Sequence, residues 1–284
     1  MNYNQEEAVL EVVSAKKVSL PNYIGVTDVS QVSLSLNLCN LVEGSNYKMH
    51  IGVMTNFDTM KNGIPPEKYQ KVWRKRDQLA ISFVDHPSAF NVIHYADYKR
   101  NGRTTASVLR DVYQYGGEYC HGIQLDMIWP ATEIMWDTKE VHPYMKFILQ
   151  VGRSAMSDIL KEGPDEKSLF RLSDKLNKEY SGAADYVLID FSGGEGIPFD
   201  TKKMLLILSH LYKHSPSFSY VVAGGLHASN LNLVNEVLRY FPVSWDAQGR
   251  LRLTGSSTDP IDTDMAMNYV RGSAGLAKAY RRSV

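Results

Sequence analysis

Two cysteines in 284 residues, Cys39 and Cys120, with no Cys-x-x-Cys spacing, leave too little sulfur for a disulfide framework or a zinc knuckle. Charge of one sign is also lacking. The 31 lysines and arginines are matched by 31 aspartates and glutamates, so no overall field draws the chain to nucleic acid or to an anionic membrane. No apolar run is long enough to span a bilayer. The opening residues Met1-Asn2-Tyr3-Asn4-Gln5-Glu6-Glu7 lack the basic flank and apolar stretch of a signal peptide, and a cytoplasmic protein is expected. The histidines, among them His86, His94, His121 and His227, show neither His-x-His nor His-Glu-x-x-His spacing, so no metal is expected. No Gly-x-Gly-x-x-Gly turn follows the first strand-like run, which argues against an open dinucleotide-binding sheet and against a nucleotide cofactor. Long proline or serine linkers are missing too, so no domain boundary is marked within residues 21–284.

What is present is alternation. Apolar runs with strand character occur at Tyr23–Thr27, Met49–Thr55, Phe90–Ala96, Gly122–Met127, Met145–Val151, Tyr186–Ile189, Tyr220–Ala223 and, least distinctly, Pro242–Asp246. Between them lie segments of helical period, expected near 30–41, 67–79, 105–115, from Pro130, 165–179, 200–214, from Ala228 and 262–280. Eight βα repeats in a chain that is 44% hydrophobic fit a single-domain α/β (β/α)8 TIM barrel, preceded by an N-terminal extension at residues 1–20. The 17 tyrosines are not interleaved with arginine and read as packing, not as a base-stacking platform.

In such barrels ligands are held where strands end, because loop amides and helix N-termini point there. Gly224-Gly225 closes the seventh run, allowing backbone to approach an anion without a Cβ in the way. Ala228-Ser229-Asn230 then opens a helix with free N–H groups. The eighth loop adds Gly249, Arg250 and Gly255-Ser256-Ser257. Gly224, Gly225, Ser229 and Gly249, with Gly194 after the sixth strand, are the candidate phosphate contacts. A Gly-Gly pair can also serve merely to relieve a tight turn. Asp28, Asn56, His94, Asp97, Asp126, Gln150, Arg153, Asp190 and Asp246 all fall at strand ends, where a carboxylate among apolar strands can act as an acid. Most strand-end aspartates cap helices or pair with cations.

Several stretches together resemble phosphoribosylanthranilate isomerase. Ile24-Gly25-Val26-Thr27 resembles that family's first-strand Cys-Gly-Ile-Thr, and Gln124-Leu125 its fourth-strand Gln-Leu-His-Gly. Leu188-Ile189-Asp190 with Gly193-Gly194-Glu195-Gly196-Ile197-Pro198-Phe199-Asp200 follows its Leu-Leu-Asp, Gly-Gly-x-Gly and Phe-Asp. Ala223-Gly224-Gly225-Leu226 repeats its Ala-Gly-Gly-Leu. The resemblance is specific over about 45 residues and implies an Amadori-type rearrangement of a phosphorylated aminosugar, with Asp190 as acid. Ile24 stands at the position of the family's cysteine base, and Asp126 at that of its histidine. Asp126 or His94 would then have to supply the base.

Two readings stay open: an isomerase or lyase acting on a small phosphorylated metabolite, and a barrel without catalysis that binds a phosphorylated ligand or a protein partner. A metal- or cofactor-using barrel is disfavoured by the absent ligand spacings. Self-association into a homo-oligomer is left undecided.

Overall fold

Eight parallel strands close on themselves in chain order in the computed structural model, which describes residues 20–99, 102–152, 165–190 and 198–281. They are β1 (Tyr23–Thr27), β2 (Lys48–Asn56), β3 (Ala89–Ala96), β4 (Gly122–Asp126), β5 (Lys146–Gly152), β6 (Tyr186–Asp190), β7 (Ser219–Ala223) and β8 (Ser244–Ala247). The seam is made by Ile24, Gly25 and Val26 of β1 against Trp245, Asp246 and Ala247 of β8. Ser244 Oγ strengthens it by accepting from the Tyr23 N–H at 2.9 Å. The α-helices among the described residues are α1 (Val32–Val42), α2 (Phe57–Asn62), α3 (Ala106–Tyr115), α4 (Thr132–Val141), α5 (Glu166–Lys175), α6 (Thr201–His214), α7 (Leu231–Leu238) and α8 (Thr263–Arg281). The architecture is the expected TIM barrel.

Strand periodicity divides the apolar residues into two cores. Ile24, Val26, Met49, Ile51, Ile93, Tyr95, Ile123 and Leu125 join the large cluster between strands and helices. The alternate positions Tyr23, Phe90, Val92, Ile148, Tyr186, Leu188 and Val221 form a second cluster inside the barrel. At its base, the rings of Tyr23, Phe90 and Tyr186 meet pairwise at 5.4 to 5.7 Å, contacts worth about 0.5–1.5 kcal/mol each beyond area burial. This plug fills the lower lumen, with the His50 ring packed against Tyr23 at 4.9 Å.

Helix starts follow the capping residues. Thr105, Asp165 and Asp200 accept from the backbone N–H three residues on, at the heads of α3, α5 and α6. Along α6, Met204, Leu205, Ile207, Leu208 and Leu211 make one buried stripe.

Two expectations need correction. No continuous helix spans residues 67–79; short 3-10 turns occupy Glu67–Tyr69 and Arg76–Ser82. The helix of this repeat is α2, which starts straight off β2 because Asn56 caps the Thr59 N–H at 2.8 Å, and it stops at Gly63, whose φ is 81°. The segment between the turns is set by side-chain packing: Tyr69 stacks on Trp73 at 4.0 Å, and both bury against Met54 and Val72. Strand β8 begins at Ser244, not Pro242; proline has no N–H for the ladder, and its carbonyl accepts from the Tyr212 hydroxyl at 2.7 Å.

Among the described residues, no helix is long and apolar enough to cross a membrane.

Candidate active site

Above the apolar plug, inward positions in the upper halves of six strands carry polar side chains. Thr27, His94, Gln124, Gln150, Asp190 and Asp246 line one cavity, together with Ala223-Gly224-Gly225 and Gln248-Gly249. Six strands thus contribute a hydrogen-bonding group to one small space.

Asp246 lies deepest in burial among the acids of this wall, at 5% exposed. Thr27 Oγ1 donates to its Oδ2 at 3.1 Å. Gly25 makes room for it, since a Cβ there would stand 2.5 Å from Asp246 Oδ1 and 2.9 Å from His50 Nδ1. Burial pushes the Asp246 carboxyl up to about 7; the charge of Asp190 adds to this, while His94 and the Thr27 hydroxyl oppose it. His50 Nδ1 is 4.0 Å from Asp246 Oδ2, which would suggest an ion pair. Complete burial, aided by nearby His94, instead holds the His50 imidazole down to about 3. The imidazole is therefore neutral, and the carboxylate is not neutralised by it.

Asp190 ends β6. Its Oδ2 accepts from Gln150 Nε2 at 3.4 Å, and Gln150 Oε1 in turn accepts from Gln124 Nε2 at 2.9 Å. His94 Nε2 stands 3.4 Å from Asp126 Oδ2. Asp126 itself sits on the rim, its side chain 23% exposed, and does not line the cavity. Gly224 and Gly225 have φ of 118° and 61°, conformations that a residue with a Cβ adopts only at a cost. Asn230 fixes this turn, donating to the Gly225 carbonyl at 3.0 Å while its Oδ1 accepts from the His227 N–H at 2.8 Å.

The candidates named from sequence thus separate. Asp190, His94, Gly224, Gly225 and Gly249 meet at the cavity. Ser229 is exposed and its hydroxyl bonds His227 Nδ1 at 2.9 Å, away from that wall. Gly194 and Arg153 lie outside the described residues. Other strand-end groups have structural partners. Asp97 binds Arg103 at 2.7 Å and Thr104 at 2.9 Å, and Asn56 caps α2. Asp28, with φ 77°, meets Arg252 at 2.6 Å. Burial outweighs Arg252 at Asp28, whose carboxyl is raised despite the contact.

Ile24, at the position corresponding to the family's base, belongs to the cluster between strands and helices, not to the lumen. Both thiols are inert: burial pushes Cys39 and Cys120 up to about 12. Among the described residues, no group of three or more His, Cys, Asp or Glu is arranged to hold a metal ion. Sequence reasoning placed Asp246 among the strand-end acids without singling it out, and passed over His50 and Thr27. The two-residue period of β1 and β2 puts Gly25, Thr27 and His50 on the lumen face and was the available signal.

No protein-family model matches the chain, and no curated protein matches it by sequence. Solved structures do match. Phosphoribosyl anthranilate isomerase from Thermotoga maritima superposes with a TM-score of 0.55 at 14% identity, covering 89% of this chain and 99% of that one. The same enzyme in complex with reduced 1-(o-carboxyphenylamino)-1-deoxyribulose 5-phosphate gives 0.54 at 14% identity, with the same coverage. Tryptophan synthase subunit alpha from Legionella pneumophila gives 0.52 at 8% identity, covering 96% of this chain and 97% of its own. The likeness is one of fold.

Proposed function

We propose that this barrel is an acid–base enzyme of isomerase or lyase type for a small phosphorylated metabolite, with Asp190 and Asp246 as its proton-transferring pair. The observation that carries the reading is the convergence of two carboxylates, from β6 and β8, on one cavity bounded by two left-handed glycines. The phosphate is held by main-chain amides of the turns after β7 and β8, where the glycines let backbone approach an anion and α7 begins just beyond. Asp190 serves as acid, the role implied by the resemblance. Asp246 serves as base: a carboxyl raised to about 7 takes a proton from carbon more strongly than an ordinary aspartate and is still half ionised at neutral pH. His94 and Gln124 hold the remaining polar atoms of the substrate. The neighbouring structures support a phosphorylated ligand to the extent that one of them was solved with a 5-phosphate compound.

The test is turnover and thermal stabilisation measured together across a panel of sugar phosphates. Turnover of one member that disappears in Asp246→Asn supports the assignment. Stabilisation without turnover of any member would replace it with the reading of a phosphate-binding barrel without catalysis, and neither effect would remove the phosphate altogether.

A further inference from the structure

A second cavity lies on the flank of the barrel, between α2, the 3-10 turn that starts at Arg76, and α3. It measures about 520 Å³ and shares no lining residue with the cavity at the barrel mouth. That is the size of a small-molecule site. Phe57, Met60 and Val108 give it an apolar wall, and Arg76, Lys61 and Asp111 give it charge. The Arg76 guanidinium is held in place from two directions. Its Nη1 donates to the Met60 carbonyl at 2.9 Å, and its central carbon lies 4.8 Å from the centre of the Tyr115 ring. Its Nε is buried and, among the described residues, has no hydrogen-bond partner. Buried donors almost always meet an acceptor, so this exception calls for one. The neighbouring Arg103, 4.0 Å from the Phe57 ring, shows the usual arrangement: Asp97 and Asp58 hold it at 2.7 and 3.0 Å. No carboxylate among the described residues does the same for Arg76.

We propose that this flank cavity binds an organic monocarboxylate, with its two oxygens on the Nε edge of Arg76 and its apolar body against Phe57, Met60 and Val108. The Nε edge of a guanidinium presents a planar pair of donors that matches the two oxygens of a carboxylate. Two cations and one carboxylate leave the wall a single positive charge, which a monoanion balances and a phosphate dianion exceeds. An ammonium group has no acceptor to offer the fork, and a neutral amide offers a single oxygen without the charge. Because Met60 and Tyr115 already hold the guanidinium, little side-chain freedom is lost when the anion arrives. The site does not depend on the chemistry assigned to the barrel mouth.

NMR titration of the full, isotope-labelled chain with benzoate and hexanoate, and with the neutral benzamide and hexanamide, tests this. At least one acid should bind about ten-fold or more tighter than its amide, the ratio expected of a charge-assisted hydrogen bond, and should shift the Nε–H resonance of Arg76. Arg76→Met, whose spectrum identifies that resonance by its loss, should bind acid and amide alike. Equal wild-type affinity within both pairs, or no binding by either acid, overturns the carboxylate site, and this comparison needs no variant. An Arg76 resonance that stays still while an acid binds, or a preference that survives Arg76→Met, overturns the assignment to this cavity.

Discussion

Replacing Asp246 with asparagine should make the protein more stable and, on the proposed function, inactive. The carboxyl is raised from an ordinary 3.8 to about 7, chiefly by burial. An acid raised on folding binds more protons in the native than in the unfolded state between those two values, so its contribution to stability falls as pH rises through that window. Above about pH 7 the whole cost is present, and the gap between the two values corresponds to roughly 4 kcal/mol. Below about pH 4 it is gone. Asparagine keeps an oxygen for the Thr27 hydroxyl and carries no charge. Asp246→Asn should therefore gain up to about 4 kcal/mol over wild type at pH 8 and approach it at pH 4. His50 contributes the opposite slope, because an imidazole held down to about 3 adds stability as pH rises from about 3 to 6.5. That slope is shared by both proteins and cancels in their difference. Urea unfolding at half-unit steps from pH 4 to 8.5 gives the difference curve directly. A curve flat with pH, or a variant less stable at pH 8, would refute a buried, proton-poised Asp246.

Asp190→Asn should abolish turnover while leaving stabilisation by inorganic phosphate intact; unchanged activity in a turnover assay would remove Asp190 from the mechanism. Gly225→Ala, at φ 61°, should cost roughly 1–2 kcal/mol in urea unfolding, and phosphate stabilisation in a thermal melt should fall with it. Gly25→Ala drives a Cβ to within 2.5 Å of Asp246 and should destabilise by roughly 1–3 kcal/mol, with a changed pH profile for activity. Arg252→Met strands the buried Asp28 and should cost roughly 3–5 kcal/mol, most of it recovered in the Asp28→Asn, Arg252→Met double variant; a double variant no more stable than the single would show the pair is not coupled.

The barrel was readable because seven strands are apolar runs ending at a glycine, an aspartate or another loop residue, and because Thr105, Asp165 and Asp200 announce helices through local capping chemistry. The repeat after β2 was misread because its charged composition imitates a helix, whereas its conformation is set by Tyr69 and Trp73 packing on Met54, a contact between side chains brought together only in the fold. Asp190 and the glycine pair stood out through their loop context. Asp246 did not, because what distinguishes it comes from other strands: the missing Cβ of Gly25, the neutral ring of His50 and the charge of Asp190. The unpaired oxygen of Gln124 was equally invisible, since it follows from two amides, Gln150 on β5 and Gln124 on β4, linked in turn to Asp190 on β6.

A crystal structure of the protein grown with ribose 5-phosphate bears most directly on the claim that an anion is seated beside two proton-handling carboxylates. The phosphorus should lie against the main-chain amides at Gly225 and Gly249, with the sugar carbons between Asp190 and Asp246. Phosphate bound elsewhere, or a sugar turned out of reach of both carboxylates, would contradict it.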